Sequence, residues 1–189
     1  MRHPTPKWLL PLLLTLPLLA MPAAANAEPI RASLIGYQEV PAVNTVATGQ
    51  FKATINPGDL SIDYELTYSG LQATVQQAHI HVAQRSVNGS IVIWLCQTPN
   101  GTPAFVDPTH LSPTCPPSGT VTGHITSANV IAGSMAPQQL LAGDLADVIK
   151  AIRAGVAYAN VHTNLSPGGE IRGQIRALHR DDDNDNEQD

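Results

Sequence analysis

Residues 60–68 constrain the fold more than any other stretch of this chain. Ile62, Tyr64, Leu66 and Tyr68 alternate with Ser61, Asp63, Glu65 and Thr67. A period of two puts one set on each face of an extended strand, so the segment is a half-buried strand rather than a helix. Asn56-Pro57-Gly58-Asp59 precedes it, and the conformational preferences of those residues make a turn. Similar short runs occur at residues 30–34, 49–55, 77–83, 91–95, 119–125, 158–164 and 171–178. Only one segment has a helical period: Leu141, Leu145, Val148, Ile149 and Ile152 recur at three- and four-residue steps. Asp144 is positioned to cap its start and Gly155 to stop it. The pattern predicts an all-β fold, an antiparallel β-sandwich or barrel with Greek-key-like connections. One short α-helix precedes the last hairpin.

The two ends differ from this middle. Arg2 and Lys7 lead into an apolar run from Trp8 to Met21, and Ala25-Asn26-Ala27 fits a small-residue cleavage site. The run is about 14 residues and holds Pro11 and Pro17, too short and too broken for a spanning helix, which needs roughly 20. Residues 1–27 are expected to be a cleaved signal peptide, with Glu28 the new N-terminus and the protein secreted or periplasmic. Residues 28–178 are then one domain. The 162 residues after Ala27 carry 8 Lys+Arg against 15 Asp+Glu, a net charge of −7. Six of the acids lie in residues 181–189, a run with nothing apolar to bury, and residues 179–189 are expected to be a disordered acidic tail. No basic cluster is legible in the sequence, which argues against a nucleic-acid partner. No later segment is apolar enough to span a membrane. Cys96 and Cys115 are the only cysteines. In an exported chain such a pair is expected to form a disulfide, here closing a proline-rich 20-residue segment and contributing about 3 kcal/mol through the unfolded chain.

The candidate chemistry lies in histidines. In a strand, His79 and His81 share a face while Ala78, Ile80 and Val82 take the apolar one. Two imidazoles so spaced can converge on one metal ion. In the last hairpin Val161 faces the core, so His162 faces away with Asn160. On its partner strand Ile171 and Ile175 face inward, leaving Glu170, Arg172 and Gln174 on the side of His162. If the two units are neighbours, His79, His81, His162 and Glu170 meet on one outer surface. Glu39 is a further candidate partner for Arg172, and His124 a candidate extra ligand.

These residues lie in runs that resemble the chordin-type (CHRD) domain. Leu34-Ile35-Gly36-Tyr37-Gln38-Glu39-Val40-Pro41 is similar to its opening, and Ala78-His79-Ile80-His81 to its central motif. Gly155 to Thr163 and Gly168-Gly169-Glu170-Ile171-Arg172-Gly173-Gln174-Ile175 are similar to its two closing motifs. Two features depart from the pattern: Pro41-Ala42 stands where two prolines are usual, and no Gly follows His81. The resemblance implies an exported binding module with an all-β fold and no established catalytic activity. Together with the histidine spacing it leads to an expected function: holding copper or zinc through His79, His81 and His162, with Glu170 as a fourth or supporting ligand. The alternative is a metal-free extracellular domain that binds a protein or matrix partner. An enzyme is not expected, because no nucleophile elbow, phosphate loop or other catalytic motif occurs; the enzymatic alternative is a redox metalloenzyme, which needs an open position on the metal.

Overall fold

A computed structural model describes residues 26–99 and 106–178; the expected signal peptide (save its last two residues) and the acidic tail lie outside the described residues. Nine strands form one antiparallel sheet: β1 (Glu28–Ile35), β2 (Thr48–Ile55), β3 (Ile62–Ser69), β4 (Val75–Val82), β5 (Ser90–Gln97), β6 (Gly119–Ile125), β7 (Ala157–Thr163), β8 (Ile171–Gln174) and β9 (Arg176–Ala177). Their order is β5-β4-β7-β8-β1-β2-β3-β6, with the short β9 also paired to β1. The expected closing strand is thus split at Ile175, whose N–H bonds to Ala157 instead of to β1. Both fragments pair with β1 in one register, Ile35 opposite Arg172 and Ile30 opposite Ala177.

The sheet curls into a nearly closed barrel. Its inner face carries the alternate apolar residues, among them Leu34, Phe51, Leu66, Ile80, Val161 and Ile171, each less than 1% exposed. Burying this one face fixes the register, since a slip of one residue would turn every apolar side chain outward. β1, β2 and β3 follow one another as a meander. The β3-to-β4 and β6-to-β7 connections instead join strands that are not neighbours, which gives the Greek-key character.

Edge strands β5 and β6 flank the remaining seam, which the segment at 113–116 bridges. Cys96 on β5 is bonded to Cys115, four residues before β6. The Tyr64 hydroxyl of β3 donates to the Leu95 carbonyl, and the Tyr68 hydroxyl donates to the Pro116 carbonyl. Gln97 and Cys115 complete the closure through backbone bonds, Gln97 N–H to Pro113 O and Cys115 N–H to Gln97 O. An open sheet would leave those groups as an unpaired edge.

Helix α1 (Leu145–Arg153) packs beside β7 and β9, burying Leu145, Val148, Ile149 and Ile152. Asp144 is its N-cap, accepting from the Asp147 N–H. The helix starts later than the periodicity predicts: Gly143 sits at φ 81°, outside the helical region, and Leu141 is 66% exposed. No helix among the described residues is long and apolar enough to cross a membrane.

The seam closure gives the first prediction. Cys96→Ser/Cys115→Ser should lower unfolding free energy by about 3 kcal/mol, because the cross-link no longer restricts the unfolded chain. Urea denaturation under non-reducing conditions measures it; an unchanged midpoint would mean that the tyrosine and backbone bonds alone close the barrel.

Candidate metal centre

β4 lies between β5 and β7, and the pairing brings the histidines together. Across β4 and β7, His79 is opposite Asn160, His81 opposite Tyr158 and Gln77 opposite His162. Across β7 and β8, Asn160 is opposite Arg172 and Tyr158 opposite Gln174. Cross-strand neighbours share a face, so all these side chains point out of the barrel, as the alternation requires. They do not form the surface group expected from the sequence. His79 is 0%, His81 7% and His162 5% exposed. Trp94 of β5 lays its ring edge-on against His79, with ring centres 4.2 Å apart. Other partners on this face come from the chain at 36–47, 84–89 and 166–169.

His79, His81 and His162 each offer a ring nitrogen within 4.8 Å of the others'. Ligands lying ~2.0–2.1 Å from one ion sit about 3.3–3.6 Å from each other. The closest approach between two of the rings, His79 Nδ1 to His162 Nε2 at 3.1 Å, is a hydrogen bond that an ion held by both rings must replace. The widest separation needs the rings to draw in by roughly 1 Å.

The hydrogen bonds decide which nitrogens are free. His162 Nδ1 is 3.0 Å from the Pro167 carbonyl and His81 Nδ1 is 3.0 Å from the Gly89 carbonyl. A carbonyl can only accept, so each Nδ1 carries the hydrogen and each Nε2 presents a lone pair. His79 Nδ1 then donates to His162 Nε2. His79 Nε2 and His81 Nε2 are buried without a partner, an arrangement that costs about 1–3 kcal/mol per group if nothing is bound. Gly89 is needed at its position: a Cβ there would run into the Val82 carbonyl.

Electrostatics keep the group neutral. Burial pushes His81 down to about 3 and His162 down to about 4. His79 is lowered well below its ordinary value, first by burial and then by its two histidine neighbours. Neutral imidazole is the form that ligates a metal. The Tyr158 ring stacks on His81 at 4.7 Å, 3° from parallel. The guanidinium carbon of Arg172 lies 3.4 Å from the centre of the Tyr158 ring. Arg172 in turn donates to the Val87 and Gln84 carbonyls at 2.9 and 3.3 Å. Glu39 lies near enough to interact with Arg172, but burial still raises its carboxyl to about 7.

Glu170 is not brought into the group. Its carboxylate, fully buried, accepts from the Thr45 hydroxyl, the Gln72 N–H and the Thr163 hydroxyl at 2.8–2.9 Å. Nor is His124, which pairs with Asp63 on the exposed face of β3 and β6. Trp94 was missed in the sequence because it sits in the apolar run at 91–95, and Tyr158, in the alternating run at 158–164, was assigned no role. The signal was there in part: Tyr158 is four residues before His162 on the same strand face.

A comparison with protein families matches residues 30–175 to the CHRD domain, and the chain belongs to that family. All three histidines, Glu39 and Arg172 lie inside the matched stretch. Neither the comparison with curated proteins nor that with solved structures found a match.

The lowered histidine values fix a direction for acid stability. Below pH 6.5 the unfolded chain protonates all three histidines while the folded chain holds them neutral, so stability falls with pH, by about 2 kcal/mol per histidine at pH 5. Glu39 works the opposite way, because the folded form takes its proton first as pH drops below about 7. Three groups outweigh one. Denaturation of the metal-free protein at pH 7.5 and pH 5 should therefore show lower stability at pH 5; equal stability would mean that the histidines protonate within the folded state.

Proposed function

We propose that this member of the CHRD family is an exported module that holds one transition-metal ion, copper or zinc, through His79, His81 and His162. The observation that carries the reading is the pair of orphaned lone pairs: His79 Nε2 and His81 Nε2 are buried with no partner. Native interiors rarely leave such atoms unmatched. Backbone carbonyls fix the tautomers of His81 and His162, the arrangement that orients metal-bound imidazoles. Imidazole donors suit copper and zinc alike. Burial supports holding rather than catalysis, since the ligands are at most 7% exposed. Export rests on the charged and apolar N-terminus with its Ala25-Asn26-Ala27 site and agrees with the disulfide.

The test is metal content and calorimetry of protein purified without a polyhistidine tag. One equivalent of Cu(II) or Zn(II) should bind and raise the unfolding free energy, by about 2.7 kcal/mol at a hundredfold excess over Kd. His79→Ala/His81→Ala should abolish uptake. Glu170→Ala should lower stability by roughly 2–4 kcal/mol through its three stranded donors and leave the stoichiometry of the folded protein unchanged. Absence of uptake, or equal uptake by the histidine variant, rejects the reading in favour of a metal-free interaction domain. Export has its own check: the intact mass of the released protein should match a chain beginning at Glu28.

A further inference from the structure

A second site lies on the outer wall, independent of the metal reading. Arg31, Arg85 and Arg176 line one pocket of about 240 Å³ together with Ser33, Gln38 and Gln174. Among the described residues no carboxylate borders it. The register adds to this concentration of charge, since Arg31 is directly opposite Arg176 on one side and Lys52 on the other, Lys52 in turn facing Glu65 on β3. Like charges placed opposite each other across strands are destabilising.

The domain has few cations to spend in this way. Among the described residues there are seven Lys and Arg, and three of them line this pocket. The exposed cations elsewhere have carboxylate partners: Arg153 holds Glu28 and Asp59, and Lys150 holds Asp147. Arg31, Lys52, Arg85 and Arg176 have no ion pair among the described residues. A row of unpaired guanidiniums around a concavity is complementary to an oxyanion, because the planar fork donates two parallel hydrogen bonds to such a group.

We propose that the pocket between Arg31, Arg85 and Arg176 binds an oxyanion, a sulfate or phosphate group carried either as a free ion or on a polymer. The ligand bridges three segments: β1, β9 and the β4–β5 loop. It relieves the repulsion between Arg31 and Arg176, which face each other across β1 and β9.

Calorimetry of the full exported protein in Tris chloride at about 20 mM ionic strength, where exposed charges are little screened, tests this with inorganic sulfate and inorganic phosphate. Retention on immobilised heparin tests the polymer-borne group. Saturable binding of either kind is expected. Arg31→Gln/Arg176→Gln should weaken it about tenfold or more, while Lys150→Gln leaves it unchanged. The double variant should melt no lower than the parent at low salt, which separates loss of a site from loss of fold. Binding of the small ions identifies a free-ion site, and retention on heparin alone identifies a polymer-borne group. No binding of any probe, or equal binding by the double variant, overturns the proposal. So does binding that appears only after Asp181, Asp182 and Asp183 are changed to Asn, because the pocket would then serve the chain's own acidic run.

Discussion

The β4–β7 pairing turns a two-residue histidine spacing into a three-imidazole group. Residues 77–82 run antiparallel to residues 157–162, with Ile80 opposite Ala159 and Ala78 opposite Val161 on the core side. Those four side chains are fully buried, and the cost of exposing them locks the register. With that side fixed, the other face has no freedom: His79, His81 and His162 must point outward together. The inner core thus specifies the outer site without touching it.

The outer face is itself dry, and that is the less usual feature. Polar residues on the outside of a barrel normally meet water, whereas here His79, Asn160, Glu39 and Arg172 are all at most 5% exposed. Removing them from water has to be offset group by group. Arg172 is offset by the Tyr158 ring and by loop carbonyls, and the stack continues onto His81. His81 and His162 are each offset at Nδ1 by a carbonyl. What is left unmatched is His79 Nε2, His81 Nε2, Asn160 Oδ1 and Glu39 Oε1, which can each present electron pairs, together with one donor, the Trp94 Nε1–H. A surplus of buried lone pairs complements a cation.

The barrel strands were legible in the sequence because alternation is a local signal, read within eight residues of one strand. The shared face of His79, His81, His162 and Arg172 followed from the same alternation. Burial did not, since it depends on cover supplied by segments distant in sequence. Thr45 and Gln72 reach Glu170 across 125 and 98 residues, and no periodicity within a strand encodes such contacts. Glu170 was therefore placed on the correct hairpin with the wrong partners. The helix start failed for a local reason: Leu141 fits the apolar period, but Gly143 and the Asp144 cap set the first turn after it.

The loops that complete the histidine centre also shape the arginine pocket. Gln84 and Val87 hold Arg172 through their carbonyls, and Arg85 lies between them in sequence. Gln38, in the turn just before Glu39, anchors to the Ser33 carbonyl beside the pocket. Arg85 is close enough to Arg172 for its charge to bear on that guanidinium. Two regions of opposite electrostatic demand, one rich in buried lone pairs and the other in unpaired cations, thus share the segments 36–39 and 84–89. Arg172, whose guanidinium lies on the ring that stacks on His81, is also within reach of the Arg85 charge, so it borders both regions.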